Sequence, residues 1–198
     1  MSDYFTVFGL PRKLAVDGPA VQRRFYELSR RHHPDFHQGA DAEGQAEALA
    51  RSALINRAYR ALRDPLARVE YLIALEEGRE VREGATDKPP APRELLQEML
   101  EVQEALEEAK ADGMGGEAAA RLRDERARLE GRYRAEAEAI VARFPEWDRL
   151  VDEGSDRAPL LEWFKQRLAT RAYLRTVIDD LSEALGEREE GHVSHRRH

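Results

Sequence analysis

The side chains best suited to chemistry lie in one short stretch, RRHHPDFHQG at residues 30–39. It holds three histidines and Asp35, and imidazole and carboxylate groups are ligands that zinc accepts. Adjacent histidines diverge on a helix, however, and no second helical pair spaced i and i+4 completes a tetrahedral site. A turn stiffened by Pro34 that presents one imidazole and one carboxylate also suits docking of another protein. The stretch therefore allows a metal site, a docking loop, or only a helix end where the dipole favours cationic side chains.

A predicted helix positions this stretch. Asp17, Gly18 and Pro19 are typical of a helix start, with an acidic cap and a proline in the first turn. Helical spacing puts four side chains on one inward face: Val21, Phe25, Leu28 and His32. The far side carries arginines with one acidic residue among them: Arg23, Arg24, Arg30 and Arg31, with Glu27. Because Pro34 disfavours helical backbone in the residue before it, we expect the helix to end near His32 or His33.

Three further elements complete the first half of the chain. The segment DYFTVFGL predicts a short apolar helix or turn. A third helix is expected over about 41–63, with Ser52, Ile55, Tyr59 and Leu62 in one stripe. Asp64 followed by Pro65 predicts a new cap and a short fourth helix through 67–75.

A polar stretch then divides the chain. Residues 76–94 carry three prolines and no apolar periodicity, which is typical of a linker. We therefore predict one domain over 1–78, a linker over 79–93, a second domain over 94–186 and a disordered tail over 187–198.

The second domain is predicted to be a three-helix bundle. Its helices are expected at about 92–111, 117–144 and 159–185, separated by GMGG at 113–116 and by a loop over 145–159. Each helix carries an apolar stripe that can meet the other two. The stripes are Leu95, Met99, Val102 and Leu106, then Leu122, Leu129, Tyr133, Ile140 and Phe144, then Leu160, Phe164, Leu174, Ile178, Leu181 and Leu185.

Composition sets the class of protein. The 198 residues are 36% charged and rich in good helix formers, so we expect an all-helical protein. A net charge of -7 argues against nucleic-acid binding that relies on phosphate neutralisation. No apolar run reaches the roughly 18 residues of a membrane span. The absence of cysteine excludes disulfides and thiolate-held metals. The N-terminus lacks the pattern of a secretory or transit signal, so a bacterial-type cytoplasmic location is expected.

Four features together resemble a J-domain: DYFTVFGL, the arginine-bearing helix, HPD in the following loop, and NRAYRALRDPLARVEYL afterwards. The opening through Pro11 is similar in particular to the HscB-type iron-sulfur co-chaperones. The resemblance implies docking on a DnaK/HscA-type chaperone and stimulation of its ATPase. It assigns His33, Pro34 and Asp35 to the docking loop, and Arg24 and Arg30 to the basic face. Arg23 and Arg31 join that face by helical rotation. Phe36 and Glu27 depart from the common pattern.

The second domain carries a candidate binding face of its own. If Leu95 and Val102 are buried, Leu96 and Leu100 lie roughly 80° to 140° around the helix and are exposed. The segment ELLQEMLEVQEALEE at 94–108 surrounds them with carboxylates and contains no basic residue. An apolar pair with an acidic rim suits a protein partner with an apolar spot and basic surroundings.

This segment resembles the first helix of the HscB bundle, which binds an IscU-type iron-sulfur scaffold. The resemblance implies a scaffold-binding set of seven residues: Leu96, Gln97, Leu100, Glu101, Glu104, Glu108 and Tyr173. Tyr173 lies off the apolar stripe of its helix, where the family has an aromatic contact.

These observations predict a non-enzymatic co-chaperone of iron-sulfur cluster assembly that needs no cofactor, and whose partners are an ATPase chaperone and a scaffold. Nucleic acid and membrane are not expected partners. One alternative is a J-protein for another client. The other is a metal-binding protein that uses the His/Asp loop, with or without three tail histidines, namely His192, His195 and His198.

Overall fold

The computed structural model describes residues 3–33, 39, 41–79, 93–111 and 113–187, and within these ranges every regular element is a helix. The prediction of an all-helical protein is therefore confirmed. The eight helices in the described ranges are α1 Tyr4–Phe8, α2 Gly18–Arg31, α3 Ala42–Arg63, α4 Pro65–Glu76, α5 Arg93–Ala111, α6 Gly116–Ala142, α7 Phe144–Glu153 and α8 Ala158–Ala184. None of these helices is both long and apolar enough to span a bilayer.

Local signals start and stop the first four helices as expected. Asp3, Asp41 and Asp64 cap α1, α3 and α4, each accepting a backbone N–H of the first turn at 2.7–2.9 Å. Helix α1 ends at Gly9, whose φ of 68° is the left-handed conformation that glycine adopts readily. One detail of the prediction is wrong. Asp17 is the N-cap residue of α2, but its side chain makes no capping hydrogen bond.

The chain folds into two compact units that differ from the predicted domains. The first contains the described residues up to 79 together with 140–164, and the second contains 93–139 with 165–187. The predicted second domain included 140–164. The predicted linker and tail lie almost entirely outside the described residues.

The second unit has the core that the stripes of α5, α6 and α8 predict. Its buried cluster consists of Leu95, Val102, Leu106, Ala109, Leu122, Leu129, Leu174, Val177 and Leu181. Four other residues of the predicted stripes are also buried, but they belong to the first unit: Ile140, Phe144, Leu160 and Phe164. The predicted single bundle core is therefore divided between two cores.

The predicted loop over 145–159 is wrong, because α7 occupies most of it. Pro145 stands in the first turn, where its missing N–H costs no hydrogen bond. Trp147 is fully buried, and α7 ends at Gly154, which has a φ of 64°. Proline and a polar, glycine-containing end are typical of a loop, so the pattern did not reveal a ten-residue amphipathic helix around Trp147.

Helix α7 anchors the segment that joins α1 to α2. The Trp147 indole N–H donates to the Arg12 carbonyl at 3.2 Å. The Asp148 carboxylate accepts the backbone N–H groups of Leu14 and Ala15, at 2.7 and 3.1 Å. These bonds give hydrogen-bond partners to backbone groups that water reaches poorly beside the buried Leu14 side chain. The segment that leads into α2 is thus held by residues far away in the sequence.

A buried arginine holds the same segment from its other side. Arg68 is 4% exposed and donates to the carbonyls of Leu62 and Leu14, at 2.8 and 2.5 Å. Burial lowers the pKa of its guanidinium, while the charges of Asp64 and Asp148 oppose that shift. Both backbone polar groups of Leu14, its N–H and its carbonyl, are therefore hydrogen-bonded.

We predict that Asp148→Ala lowers the free energy of unfolding by about 1–3 kcal/mol, because it leaves two backbone N–H groups without their acceptor. Urea denaturation followed by circular dichroism measures the change. Asp152→Ala is the matched control on the same helix. It removes only an exposed ion pair with Lys13, and we expect about 0.5 kcal/mol or less. Equal stabilities for Asp148→Ala and the unchanged chain would contradict this anchoring role.

Candidate partner-docking sites

The outer face of α2 is basic, as predicted. All four arginines, Arg23, Arg24, Arg30 and Arg31, are exposed. Arg24 pairs with Glu27 at 3.1 Å, and Arg23 lies 3.7 Å from Asp17. Arg30 and Arg31 have no ion-pair partner among the described residues. Among the described residues, the positive charge without an ion-pair partner therefore lies on the last two residues of α2.

The candidate docking loop follows directly. His32 ends α2, donating its backbone N–H to the Leu28 carbonyl at 3.0 Å, and its side chain is half-buried on the inward face. His33 is exposed two residues beyond Arg31, the last residue of α2. The prediction that α2 ends near His32 or His33 is confirmed. Pro34 and Asp35 lie outside the described residues, so their assignment to the loop rests on the sequence alone.

Two exposed leucines mark the second candidate site. Leu96 is 49% exposed and Leu100 is 60% exposed, whereas Leu95, Val102 and Leu106 are buried in the second unit. The predicted rotation of α5 is therefore confirmed. An exposed leucine keeps apolar surface in water, and covering both would contribute about 25 cal/mol for each Å² removed from water.

Carboxylates surround the leucine pair. Glu101, Glu104 and Glu108 are exposed, and Gln97 donates its side-chain amide to Glu101 at 3.4 Å. Glu104 and Glu108 have no ion-pair partner among the described residues. Unpaired acids at a rim favour a partner with basic side chains and raise the rate of encounter.

The expected position of Tyr173 is partly wrong. Its side chain is half-buried and packs against the core of the second unit rather than standing clear of it. Tyr173 can therefore offer only part of its ring to a partner. Helix α8 is antiparallel to α6, because Arg167 binds Glu136 at 3.1 Å while Glu187, just after α8, binds Arg123 at 2.7 Å.

The same arrangement relates Tyr173 to the leucine pair. Glu98 near the start of α5 binds Arg128 in the middle of α6, whereas the end of α5 directly precedes the start of α6 in the chain. Helix α5 is therefore antiparallel to α6 as well, so α5 and α8 run in the same direction. Gln103 on α5 donates to Asp180 on α8 at 3.4 Å. Two turns earlier on each helix stand Leu96 and Tyr173, and we infer that they lie at the same level.

One acidic residue near this face was missed by the sequence analysis. Glu98 is bound by Arg128 at 2.7 Å and also by Arg132, both from α6. No basic residue stands within 94–108, but these two arginines of α6 neutralise the acidic rim beside Glu98. Partial burial alone would raise the pKa of Glu98, but the hydrogen bonds and charges of both arginines outweigh it and lower that pKa.

We predict that Glu98→Gln lowers the free energy of unfolding at pH 7 by about 1 kcal/mol, the upper range for a partly exposed ion-pair network. Because the folded-state pKa is lowered, this stabilisation is complete above the unfolded-state pKa of about 4.3 and is lost as pH falls through the folded-state value. Urea denaturation should show that the difference in free energy of unfolding between Glu98→Gln and the unchanged chain is smaller at about pH 3 than at pH 7. Glu104→Gln, which has no described partner, is the control. A difference that stays constant with pH would exclude the ion-pair explanation.

The metal hypothesis gains no ligand set from the described ranges. There, no group of three or more histidine, aspartate or glutamate side chains could hold a metal ion. Asp35, His37 and the tail histidines His192, His195 and His198 lie outside the described residues.

Comparison with known proteins identifies the fold. No protein-family model matches the chain. The chaperone HscB from Vibrio cholerae is 22% identical, with a TM-score of 0.61 over 94% of this chain and 99% of the other. The human co-chaperone protein HscB is 24% identical, with a TM-score of 0.62 over 92% of this chain and 82% of the other. At these identities the likeness establishes the fold, and at that level the resemblance seen in the sequence is confirmed.

Proposed function

We propose that this chain is an HscB-type co-chaperone of iron-sulfur cluster assembly. One observation carries the proposal: nearly the whole chain, and not only its first half, shares the fold of two HscB proteins. A J-protein for an unrelated client would need only the first part of that likeness. The HPD sequence after an exposed arginine face and the exposed leucine pair on α5 supply a candidate site for each of two partners.

The first partner is a DnaK/HscA-type ATPase chaperone. Arg30 and Arg31 are exposed, so a carboxylate-bearing surface can bind them without first breaking an ion pair to any described residue. Arg23 and Arg24 add charge that Asp17 and Glu27 partly offset. His33, Pro34 and Asp35 would then set the position of the docked chaperone, because a proline-stiffened turn loses little conformational entropy on binding.

The second partner is an IscU-type scaffold. Leu96 and Leu100 would enter an apolar spot on that protein, with the exposed edge of Tyr173 beside Leu96. The surrounding acids, Glu101, Glu104 and Glu108, would pair with basic side chains of the scaffold. Gln97, which donates to Glu101 at 3.4 Å, would add a polar contact with the scaffold beside the leucine pair.

The chain then acts by proximity and needs no catalytic group or cofactor of its own. Holding the scaffold on one site while the chaperone docks on another raises the effective concentration of one partner for the other. ATP hydrolysis by the chaperone would follow capture of the scaffold. With no cysteine, the chain offers no thiolate that could take the cluster from its scaffold.

Isothermal titration calorimetry with each purified partner tests this proposal. We expect the scaffold and the ATP-bound chaperone each to bind the chain in a one-to-one complex. Binding of the chaperone without the scaffold would favour a J-protein for another client. Binding of neither, together with zinc binding that survives removal of residues 187–198, would favour the metal alternative in the His/Asp loop.

A further inference from the structure

The face shared by α2 and α3 carries a row of aromatic rings that the proposed function does not use. The Tyr26 ring centroid lies 5.7 Å from that of Phe25, and Phe25 stacks on Tyr59 across the two helices at 4.1 Å with planes 14° apart. The guanidinium of Arg63 lies 5.5 Å from the centre of the Tyr59 ring. We call these four side chains the aromatic row.

The exposed end of the row is Tyr26. Its side chain is 61% exposed, whereas Phe25 and Tyr59 are half-buried. Single exposed apolar residues are ordinary. Tyr26 differs because it continues a stacked pair, so its ring extends an apolar surface that already reaches the solvent. Its hydroxyl has no hydrogen-bond partner among the described residues.

The row adjoins the proposed chaperone-docking face. Residues three and four apart on a helix are neighbours, so Tyr26 stands next to both Arg23 and Arg30. His33 follows α2 two residues after its last residue, Arg31. An aromatic ring flanked by guanidinium groups matches a partner surface in which carboxylates border an apolar spot.

We propose that Tyr26 is an apolar anchor for the ATPase chaperone, with its ring next to that of Phe25, which is itself stacked on Tyr59. This inference rests on the proposed function and deepens it by adding an apolar contact to a site so far argued from charge and loop geometry. Tyrosine suits that role, because its large ring is held by few rotatable bonds and therefore loses little entropy on binding. Tyr26 contributes to affinity, and the docking loop contributes to ATPase stimulation.

Steady-state ATP turnover by the chaperone, titrated with this chain, tests the inference. Tyr26→Ala should raise the concentration for half-maximal stimulation by roughly tenfold, as expected for an interface anchor, and leave the maximal rate unchanged. Tyr26→Phe keeps the ring and should stay within about twofold of the unchanged chain. Leu49→Ala is the control of matched exposure, 63% against 61%, and should leave both the half-maximal concentration and the maximal rate unchanged.

Salt separates an apolar anchor from a purely electrostatic contact. Between about 0.05 and 0.3 M salt the screening length falls more than twofold, so the effect of Arg30→Ala should shrink while that of Tyr26→Ala persists. If the unchanged chain stimulates turnover and Tyr26→Ala has the same half-maximal concentration, this inference is wrong while the proposed function stands. A Tyr26→Ala effect that disappears with salt would also overturn it. If the unchanged chain does not stimulate turnover, the proposed function fails and the inference fails with it.

Discussion

His33→Gln is expected to abolish stimulation of the chaperone ATPase while leaving scaffold binding unchanged. His33 is exposed just beyond the end of α2, beside the two arginines that have no described ion-pair partner. Loss of a central interface residue costs about 2 kcal/mol or more, so stimulation at a fixed concentration of the chain should fall by about thirtyfold or more. Steady-state ATP turnover measures this effect, and calorimetry with the scaffold measures the unchanged activity.

The neighbouring histidine supplies a matched control. His32 is half-buried on the inward face of α2, so His32→Gln makes the same chemical change without altering the docking loop. We expect it to retain stimulation. Equal losses in both variants would contradict the assignment to His33. Loss of scaffold binding in His33→Gln would contradict two separate sites, provided that circular dichroism shows the variant to be folded.

The second large effect is expected from Leu96→Ala combined with Leu100→Ala. Both leucines are exposed in the free chain, so their removal should leave the stability of the second unit nearly unchanged. Burying a leucine contributes about 1.5 kcal/mol or more, and the pair therefore about 3 kcal/mol, or more than a hundredfold in scaffold affinity. Calorimetry with the scaffold measures the loss. ATPase stimulation in the absence of scaffold should be retained.

Leu49→Ala controls for the loss of exposed apolar surface as such. Leu49 is 63% exposed on α3 in the first unit, and we expect its removal to leave scaffold affinity unaltered. If the double variant binds the scaffold as tightly as the unchanged chain, α5 is not part of the scaffold-binding site. Equal weakening by Leu49→Ala would show that the binding is non-specific and apolar.

Sequence reasoning succeeded where local signals determine structure. Helix α2 begins and ends where glycine, proline and the apolar spacing predict, and all four arginines are exposed as the helical rotation requires. The same rotation predicted the exposure of Leu96 and Leu100, because one buried stripe determines which side chains of a helix face away from it. Such features depend on residues within a few turns of one another.

Features that depend on distant contacts were not predictable in this way. Helix α7 depends on burial of Trp147, and its bonds reach the segment around Arg12 and Leu14. The half-buried position of Tyr173 depends on the packing of α8 against the core of the second unit. Glu98 is neutralised by two arginines from another helix. In each case the deciding contact joins residues that are far apart in the sequence.

The most direct test of the proposed function is steady-state ATP turnover by the chaperone, with this chain and the scaffold added singly and together. Coupling of two partners through one molecule predicts that the combined additions raise turnover by more than the sum of the single effects, and that His33→Gln removes the increase. Turnover that does not respond to this chain, alone or with the scaffold, would contradict the co-chaperone assignment and leave the His/Asp loop as a candidate metal site.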